Sequence, residues 1–362
     1  MKVGHRQAPN ARTLDSGRGF LLFQLAKRPT SHVKSFITRF RYLCDMNLAL
    51  LDALSSEHFT SGEALAMRFD CTRAAINKQI DALRQAGILI DARPRHGYRL
   101  GYAYHWWRQQ DVQRHQALMP DIEMNVLEST DSTNTWLMQR LAQREQGLAM
   151  ALTDFQQNGR GRRGRAWVAP PGRQLTVSWG IASNVPPQAW LGVALALGAA
   201  IARVLHAWKV PVGLKWPNDL LLNGDKLGGI LVELEAMMNG ASRLVVGLGL
   251  NECLTAEERD GLPVPVADLQ GWVPASDRLG LLLALSQAVV DCLRNFPENG
   301  LAPDLVFWSE HDVLLGKSVR FQLGEDWHEG MALGIRSDGC LRLRTATGEV
   351  ACHSGEVTVR AT

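Results

Sequence analysis

The 362-residue sequence predicts an α+β protein made of three parts in chain order. Helical periodicity from residue 46 to about 100, closed by two short apolar runs, predicts a small N-terminal domain. Apolar β-type runs mixed with long helical stretches over roughly 124–310 predict a larger domain with a mixed sheet. Alternating apolar residues after Gly316 predict a small all-β domain at the C-terminal end.

The first 45 residues differ from the rest of the chain in charge. They contain nine Lys or Arg and two Asp, a net +7, so the total of +3 leaves about −4 for the remainder (3 − 7). Because this stretch shows no sustained periodicity, we expect 1–45 to be a basic, disordered extension. A misassigned start and an ordered basic arm are the alternatives.

Cysteine usage and hydropathy limit the class of protein. The six cysteines are at least 12 positions apart and form no C-x-x-C, which argues against a disulfide framework or a zinc knuckle and predicts a cytoplasmic protein. No signal peptide is evident, and the longest apolar run, Ala189 to Ala202, is too short for a membrane span. We therefore expect a buried helix there and no membrane association.

Residues 46–101 have the pattern of a winged helix-turn-helix, a domain that binds DNA, and a protein-contact module is the alternative. Thr60 and Glu63 have capping-box spacing at the start of one helix. A second helix is predicted from Arg73 to about Gln85, with Ala75, Ile76, Ile80 and Leu83 buried and with Arg73, Asn77, Lys78 and Arg84 exposed. Short strands at 88–90 and 98–100 follow, joined by a basic turn over 93–97 that contains Arg95.

The rest of the chain divides into a linker, a central domain and a C-terminal domain. We predict a linker with one helix at 102–123 and a central mixed-sheet α+β domain at 124–312. Its strands are expected at 175–181, 220–222, 229–234 and 244–250, and its long helices near 189–208 and 278–296. At 313–362 we predict a small SH3-like β-barrel, whose alternating apolar positions are Val319, Phe321, Leu323, Met331, Leu333, Ile335, Leu341, Leu343, Val357 and Val359.

The most unusual stretch is the arginine loop, residues 159–165, which reads Gly-Arg-Gly-Arg-Arg-Gly-Arg. It satisfies G-x-G-x-x-G, but a dinucleotide site needs a helix to begin there, and Trp167, Pro170 and Pro171 follow instead. Four guanidiniums on a flexible loop suit a polyphosphate or an acyl phosphate. A solvated basic loop or an unspecific nucleic-acid contact is the alternative.

Two further motifs offer polar groups. Lys215-Trp216-Pro217-Asn218-Asp219 precedes an Asn223-Gly224 turn that predicts a hairpin, with Lys226 at the start of the returning strand. Gly228 and Gly229 next to it would let a ligand approach the backbone, although a surface lysine and a β-bulge explain the same residues. Asp131 to Asn134 predicts a helix N-cap whose hydroxyls can also serve a ligand.

In combination and in this order, the motifs resemble those of biotin protein ligases. The resemblance is carried by Ser132-Thr133-Asn134, Gln156 with the arginine loop, 215–219, 226–233 and Gly247-Leu248-Gly249-Leu250-Asn251. At the N-terminal end, 61–63 and 73–78 resemble the bifunctional members of the family that also repress the biotin operon. The resemblance covers about residues 47–362.

The resemblance implies roles for individual residues. Ser132, Thr133, Asn134 and Gln156 would hold the biotin ureido ring, with Ile230 and Leu231 beside Gly229 as the apolar wall. The adenylate-binding loop would use Arg160, Gly161 and Arg162, and Asn251 would lie near the nucleotide. Lys226 would be the catalytic lysine, with Arg162 assisting, and Asp219 a candidate for orienting the acceptor amine. No metal ligand from the protein is expected.

The resemblance also implies substrates and partners. Biotin and ATP, with Mg²⁺, would give biotinyl-5′-AMP, and biotin would pass to a lysine of the biotin carboxyl carrier protein of acetyl-CoA carboxylase. A homodimer promoted by the adenylate would bind operator DNA through Arg73, Asn77, Lys78 and Arg95. The alternatives are a biotin-sensing regulator without transfer activity, a ligase whose winged helix no longer represses, and a lipoate ligase.

Overall fold

The computed structural model describes residues 48–104, 106–323, 326–353 and 357–361, so the predicted extension at 1–45 lies outside the described residues. The N-terminal domain contains α1 (Leu48–Asp52), α2 (Gly62–Arg68), α3 (Arg73–Gln85) and an antiparallel hairpin of β1 (Ile90–Arg93) and β2 (Gly97–Leu100). Its helices pack around a core of their own that includes Leu50, Leu65, Ile76, Ile80 and Leu83. The α3 faces are as predicted except that Ala75 is only half-buried.

Two boundaries in this domain differ from the predictions. The N-cap of α2 is Ser61, whose hydroxyl accepts from Ala64 N at 3.0 Å, whereas the backbone of Thr60 pairs with Tyr98 of the hairpin. Strand β1 begins at Ile90 and not at Ile88, because Ile88 N still donates to Leu83 O at the end of α3. Pairing with the distant hairpin thus decides the first boundary, and a local hydrogen bond at the end of α3 decides the second.

The central domain is built on a seven-stranded mixed sheet in the order β3-β4-β5-β9-β8-β7-β6. Only β3 and β4 run parallel among its neighbouring strands. Its strands are β3 (Ile122–Leu127), β4 (Gly147–Thr153), β5 (Gln174–Ser183), β6 (Val212–Lys215), β7 (Asp219–Leu222), β8 (Asp225–Ala236) and β9 (Ser242–Asn251). The helices are α4 (Gln109–Leu118), α5 (Thr133–Leu141), α6 (Val193–Ala207), α7 (Ala256–Asp260), α8 (Arg278–Asn299) and α9 (Leu305–His311).

The long helices α6 and α8 cover one face of the sheet, and α5 covers part of the other. Two stretches, Pro187–Ala207 and Ala275–Asn299, are long and apolar enough to cross a membrane. Each contains one of the two long helices, whose apolar residues pack against the sheet and against each other.

The segment predicted as a linker contributes to the central core. Helix α4 buries Val112 and His115, its C-cap Met119 is also buried, and β3 begins at Ile122, inside the predicted linker. Only two of the described helix positions in this segment are buried, and polar residues separate them, so the sequence shows no clear apolar face. We propose that the central domain begins with α4 and not at 124, because Val112, Met119 and Ile122 belong to the central hydrophobic cluster.

The C-terminal domain is a five-stranded antiparallel sheet in the order β13-β12-β11-β10-β14. Its strands are β10 (Ser318–Leu323), β11 (Asp326–Ile335), β12 (Leu341–Thr345), β13 (Gly348–Cys352) and β14 (Val357–Ala361). The alternation predicted for β11 is wrong: Ala332 is buried, whereas Met331 is exposed, and the register shifts between Ala332 and Ile335. Val319, Phe321, Leu341 and Leu343 are buried as predicted and belong to the same hydrophobic cluster as the central domain.

Candidate functional site

The N-terminal end of α5 presents buried polar groups above the sheet. Ser132 is the N-cap of this helix, and Thr133 and Asn134 are 3 % exposed. Gln156 Oε1 accepts from Thr133 N at 3.0 Å, and the Ser178 hydroxyl donates to Asn134 Oδ1 at 2.6 Å. These hydrogen bonds hold four polar side chains at one place in an otherwise apolar layer, the arrangement that a small polar ligand requires.

Glycines in β9 allow side chains to lie directly on the sheet. A Cβ atom at Gly247 would be 2.3 Å from Asn134 Oδ1, and one at Gly249 would be 2.3 Å from the Trp167 ring. Because real contacts of a Cβ atom are longer than 3 Å, Asn134 and Trp167 occupy the space that side chains at these positions would take. The alternating glycines of β9 thus define the floor of the site.

The arginine loop crosses over this floor. Residues Arg162–Gly164 form a single 3₁₀ turn, with Arg163 at a φ of 58°, and extended backbone follows, so the expectation that no helix begins here is confirmed. Arg160 Nη2 donates to Glu233 Oε2 at 3.0 Å and to Thr135 Oγ1 at 2.9 Å. Glu233 Oε2 also accepts from Asn134 Nδ2 at 2.9 Å, so one carboxylate joins the loop to the helix end.

Lys226 lies at the other side of the floor. It is the second residue of β8, after the predicted Asn223-Gly224 turn, in which both residues have positive φ. Lys226 Nζ is 2.7 Å from Asp219 Oδ1 and 5.5 Å from the centroid of the Trp167 ring. The indole therefore lies beside a partly exposed ammonium group.

Asn251 is part of a hydrogen-bond network below Trp167. Gln174 Oε1 accepts from Trp167 Nε1 at 2.9 Å, and Gln174 Nε2 donates to Asn251 Oδ1 at 2.8 Å. Asn251 Nδ2 donates to the carbonyl oxygens of Lys226 and Ala267 at 3.2 and 2.9 Å. This network connects the start of β5, the end of β9 and the lysine backbone.

Positive charge is concentrated at this end of the site. Burial, and secondly the neighbouring Arg163, lower the pKa of Arg162, while Asp219 raises it. Arg162 Nη1 donates to Asn218 Oδ1 over a long 3.4 Å. A half-buried guanidinium with other cations close by gains most from an anion, which a phosphate or carboxylate would supply.

The contacts connect most of the predicted ligand residues, but one prediction is wrong. Ile230 points to the opposite face of the sheet, in the core beside Gly198 of α6, so it does not line the site. Successive strand residues point to opposite faces, so Gly229 and Leu231 face the site. Trp167, Gln174 and Ser178 also belong to the site, but the sequence motifs did not predict them. Of these, Trp167 could have been predicted, because it lies two residues after the arginine loop.

The predicted DNA contacts lie in the separate N-terminal domain. Arg73, Asn77 and Lys78 are exposed on α3, and Arg95 is exposed at the tip of the hairpin turn with a φ of 67°. The Asn77 Oδ1 atom accepts from the Tyr98 hydroxyl, which ties α3 to the hairpin. Arg93 and Arg99 each lie 4.9 Å from the Phe59 ring centroid, so cations surround this hairpin.

The site does not offer a protein cage for a metal ion. No group of three or more His, Cys, Asp or Glu residues suited to a metal occurs within the described residues. The site carboxylates of Asp219 and Glu233 are already paired with Lys226 and Arg160. These residues do not fit a resident metal ion.

Fold and site together define a two-part protein, with a helix-turn-helix for nucleic acid and an α+β domain whose polar floor is bordered by cations. Residues 126–251 match the model of the biotin/lipoate A/B protein ligase family, 48–99 match an HTH domain, and 314–360 match the biotin protein ligase C-terminal domain. The chain belongs to the biotin protein ligase family, and it is a biotin ligase that also acts as a repressor.

Relatives of known function and structure cover most of the chain. It is 33 % identical to the bifunctional ligase/repressor BirA of Salmonella typhimurium and 32 % identical to that of Escherichia coli, in each case over 86 % of this chain and 97 % of the relative. A biotin–[acetyl-CoA-carboxylase] ligase of Mycobacterium tuberculosis is 32 % identical over 65 % of this chain and 88 % of the relative. The biotin protein ligase of Aquifex aeolicus, solved with biotin and ATP, superposes with a TM-score of 0.55 at 26 % identity, covering 66 % of this chain and 99 % of that one.

Proposed function

We propose that the chain condenses biotin with ATP to biotinyl-5′-AMP and passes the biotinyl group to a lysine of the biotin carboxyl carrier protein of acetyl-CoA carboxylase. The observation that carries this proposal is the juxtaposition of a buried polar cluster at the start of α5 with Lys226 and the arginine loop. The buried polar cluster suits a neutral polar ring, whereas Lys226 and the arginine loop suit an acyl phosphate. The Aquifex ligase, with biotin and ATP bound, supports this choice of substrates.

Each side chain of the cluster has a role in holding biotin. Ser132, Thr133, Asn134 and Gln156 offer donors and acceptors to the ureido ring. Leu231 and Trp167, instead of the predicted Ile230, provide the apolar contacts. Glu233 orients the Asn134 amide through the hydrogen bond to its Nδ2 atom.

Adenylation requires that two anions meet. A biotin carboxylate oxygen attacks the α-phosphorus of ATP, a P–O bond forms, and pyrophosphate leaves with the electron pair of the bond that breaks. Arg160, Gly161 and Arg162 of the loop, together with Lys226, offset the charge on the phosphoryl oxygens. Asn251 and Gln174 lie near the nucleotide. The loop then shields the mixed anhydride from water.

Magnesium enters as part of the substrate. Mg²⁺ usually keeps several waters and binds substrate phosphates, so an ATP complex of the ion needs no protein cage.

Transfer forms an amide bond. The neutral amine of the acceptor lysine attacks the biotinyl carbonyl carbon, AMP leaves, and the amine releases a proton. Asp219, whose carboxylate is paired with Lys226, orients the incoming amine. We propose that Asp219 takes this role when the phosphate of the adenylate pairs with Lys226 and so frees the Asp219 carboxylate.

The repressor function uses the other domain. We propose that β1 and β2 are the wing of a winged helix-turn-helix within 46–101, and that Arg73, Asn77, Lys78 and Arg95 contact operator DNA of the biotin operon. A homodimer promoted by the adenylate would present two such domains to the operator in the cytoplasm. The strands within 313–362 would close into an SH3-like barrel.

A mass measurement tests the ligase proposal directly. A biotin carrier domain is incubated with the chain, biotin and MgATP, and its mass is determined. We expect one added biotinyl group with the wild type and about a hundred- to a thousandfold slower addition with Lys226→Ala. Lys317→Ala, an exposed lysine of the C-terminal region, is the control and should behave as wild type. An unmodified carrier with wild-type protein would refute the proposal.

A further inference from the structure

The segment between the DNA-binding hairpin and α4 is rich in aromatic residues. Tyr102, Tyr104, Trp106 and Trp107 lie within six positions, and both tryptophans are buried. The Tyr104 and Trp106 rings stack at 4.6 Å, and Trp106 stacks on Phe155 at 5.2 Å. We name Tyr104, Trp106 and Phe155 the aromatic stack. These three rings form continuous contacts across the segment that was predicted to be a linker.

The aromatic stack reaches the DNA-binding domain. Leu89 N, which directly precedes β1, donates to the Tyr104 hydroxyl at 3.1 Å. Trp106 and Phe155 belong to the same hydrophobic cluster as Leu50, Ile76 and Ile80. A residue of the ligase domain, Phe155, is therefore part of the core on which the DNA-binding helix α3 rests.

The other end of the aromatic stack reaches residues adjacent to the ligand site. Phe155 directly precedes Gln156, and Arg173 directly precedes Gln174. The Arg173 guanidinium carbon lies 4.7 Å from the Tyr104 ring centroid, and its Nη2 donates to the Tyr104 hydroxyl at 3.5 Å. The Arg173 carbonyl oxygen accepts from Glu252 N and Cys253 N, directly after Asn251.

Arg173 is a buried cation that has only long polar contacts and lies beside a cavity. Its side chain is 3 % exposed, yet its polar contacts are all long, at 3.5 Å to Tyr104, 3.7 Å to Glu258 and 3.8 Å to Cys253. Its Nε atom makes no hydrogen bond within the described residues. A cavity of about 590 Å³ adjoins Arg173, which leaves space beside its guanidinium. Because this cation stacks on the Tyr102 and Tyr104 rings and makes only long polar contacts, its position depends on the position of those rings.

We propose that Tyr104 is a positioning residue that couples occupancy of the ligand site to the orientation of the DNA-binding domain. Ligand contacts of Gln156 and Gln174 shift Phe155 and Arg173, and the Tyr104 hydroxyl passes this shift to Leu89. The proposal rests on the proposed function, because it needs a ligand at Gln156 and Gln174. It concerns orientation of the DNA-binding domain and not the chemistry, so Tyr104 takes no part in catalysis.

The test compares DNA affinity with and without ligand. A DNA duplex is selected by the wild-type chain from a randomised library in the presence of biotin and MgATP. Its affinity for wild type, Tyr104→Phe and Tyr102→Phe is then measured with and without biotin and MgATP. Tyr102→Phe is the matched control, because it removes a hydroxyl from the neighbouring tyrosine, which also stacks on Arg173.

We expect the ligand-dependent gain in affinity to fall about fivefold in Tyr104→Phe, the effect of one hydrogen bond, and to remain unchanged in Tyr102→Phe. The rate of biotin transfer stays as in wild type, and exchange of the Leu89 amide hydrogen becomes faster in Tyr104→Phe. An unchanged gain in Tyr104→Phe, or no ligand-dependent gain in wild type, overturns the proposal. Loss of biotin transfer in wild type would contradict the proposed function instead.

Discussion

At the scale of single residues, Glu233 joins two parts of the site that are distant in sequence. Its carboxylate accepts from Asn134 of α5 and from Arg160 of the arginine loop, at 2.9 and 3.0 Å. The ion pair is partly exposed, at 46 % for Arg160 and 29 % for Glu233, so its contribution to loop closure is modest. Because this contribution is modest, a conservative substitution of Glu233 should weaken the contact with the arginine loop without unfolding the chain.

Glu233→Gln is expected to loosen the arginine loop. The amide still accepts from Asn134 but no longer pairs with the Arg160 charge, and trypsin should cut within 159–165 about two- to fivefold faster in the absence of ligands. Limited proteolysis followed by mass spectrometry measures the rate. Glu235→Gln, on the same strand as Glu233, removes the pair with Arg243 of β9 and should leave the rate unchanged. Equal cleavage of Glu233→Gln and wild type would contradict the role of Glu233.

His115 makes stability sensitive to acid. Burial lowers its pKa to about 4, and neither ring nitrogen has a hydrogen-bond partner in the described part of the chain. The folded protein therefore keeps this ring neutral while the unfolded chain takes up a proton near pH 6.5, so the contribution of this group is lost as the pH falls from about 6.5 to 4.

Urea unfolding across that pH range should separate wild type from His115→Leu. We expect wild type to lose up to about 3 kcal/mol more free energy of unfolding between pH 6.5 and 4, since a difference of one pKa unit corresponds to about 1.4 kcal/mol. His58→Leu, at an exposed position, should follow wild type. Parallel pH profiles for wild type and His115→Leu would rule out this assignment.

At the scale of secondary-structure elements, β9 shapes the site because two of its residues are glycines without side chains. Gly247 and Gly249 leave space that Asn134 and Trp167 fill. The strand is thus both a central member of the sheet and the floor beneath the ligand. A side chain at Gly247 would therefore collide with Asn134, and a side chain at Gly249 would collide with the Trp167 ring.

Gly249→Ala should displace Trp167, because the new Cβ atom would be 2.3 Å from its ring. Overpacking of this kind costs about 1–3 kcal/mol, and we expect biotinyl-5′-AMP to dissociate about tenfold faster. Dissociation of labelled adenylate measures the effect. Gly261→Ala, in a position with ordinary van der Waals space, is the control. Unchanged dissociation from Gly249→Ala would mean that Trp167 does not cover the adenylate.

Helix α3 is expected to contribute a phosphate contact through Lys78. In Lys78→Ala the slope of log affinity against log salt concentration should fall by about one, while biotin transfer continues at the wild-type rate. Fluorescence anisotropy with selected duplex DNA at several salt concentrations gives the slope. Lys317→Ala serves as control, and an unchanged slope for Lys78→Ala would place this lysine away from the phosphates.

The elements were predictable where the local pattern decides the structure. The Asn223-Gly224 turn follows from turn chemistry and the buried face of α3 from helical periodicity, and the structure agrees with both except that Ala75 is only half-buried. The direction of Ile230 was not predictable from its motif, because the strand alternation depends on the β-bulge between Leu220 and Leu221 and on pairing with β9. Likewise, Ser178 and Gln174 enter the site through strand pairing, which no local pattern reveals.

At the scale of the whole molecule, the two terminal domains are attached in different ways. The N-terminal domain has its own hydrophobic cluster, which meets the ligase domain at Trp106 and Phe155. The C-terminal strands instead share one cluster with the central domain, and Trp216 Nε1 donates to Gly339 O at 3.1 Å. From the sequence we predicted a separate C-terminal domain, because sequence periodicity indicates helices and strands but does not show which of them share a hydrophobic core.

This shared cluster restricts which shortened forms of the chain are viable. Removing the C-terminal strands would take Val319, Phe321 and Leu341 out of the core that they share with the ligase domain and would expose the residues they cover, so we expect the ligase domain to be unstable without these strands. The N-terminal domain instead has a cluster of its own, which reaches the ligase domain through Trp106 and Phe155. We therefore expect a shortened chain without the DNA-binding domain to keep ligase activity, whereas a chain shortened from the other end loses part of its catalytic core.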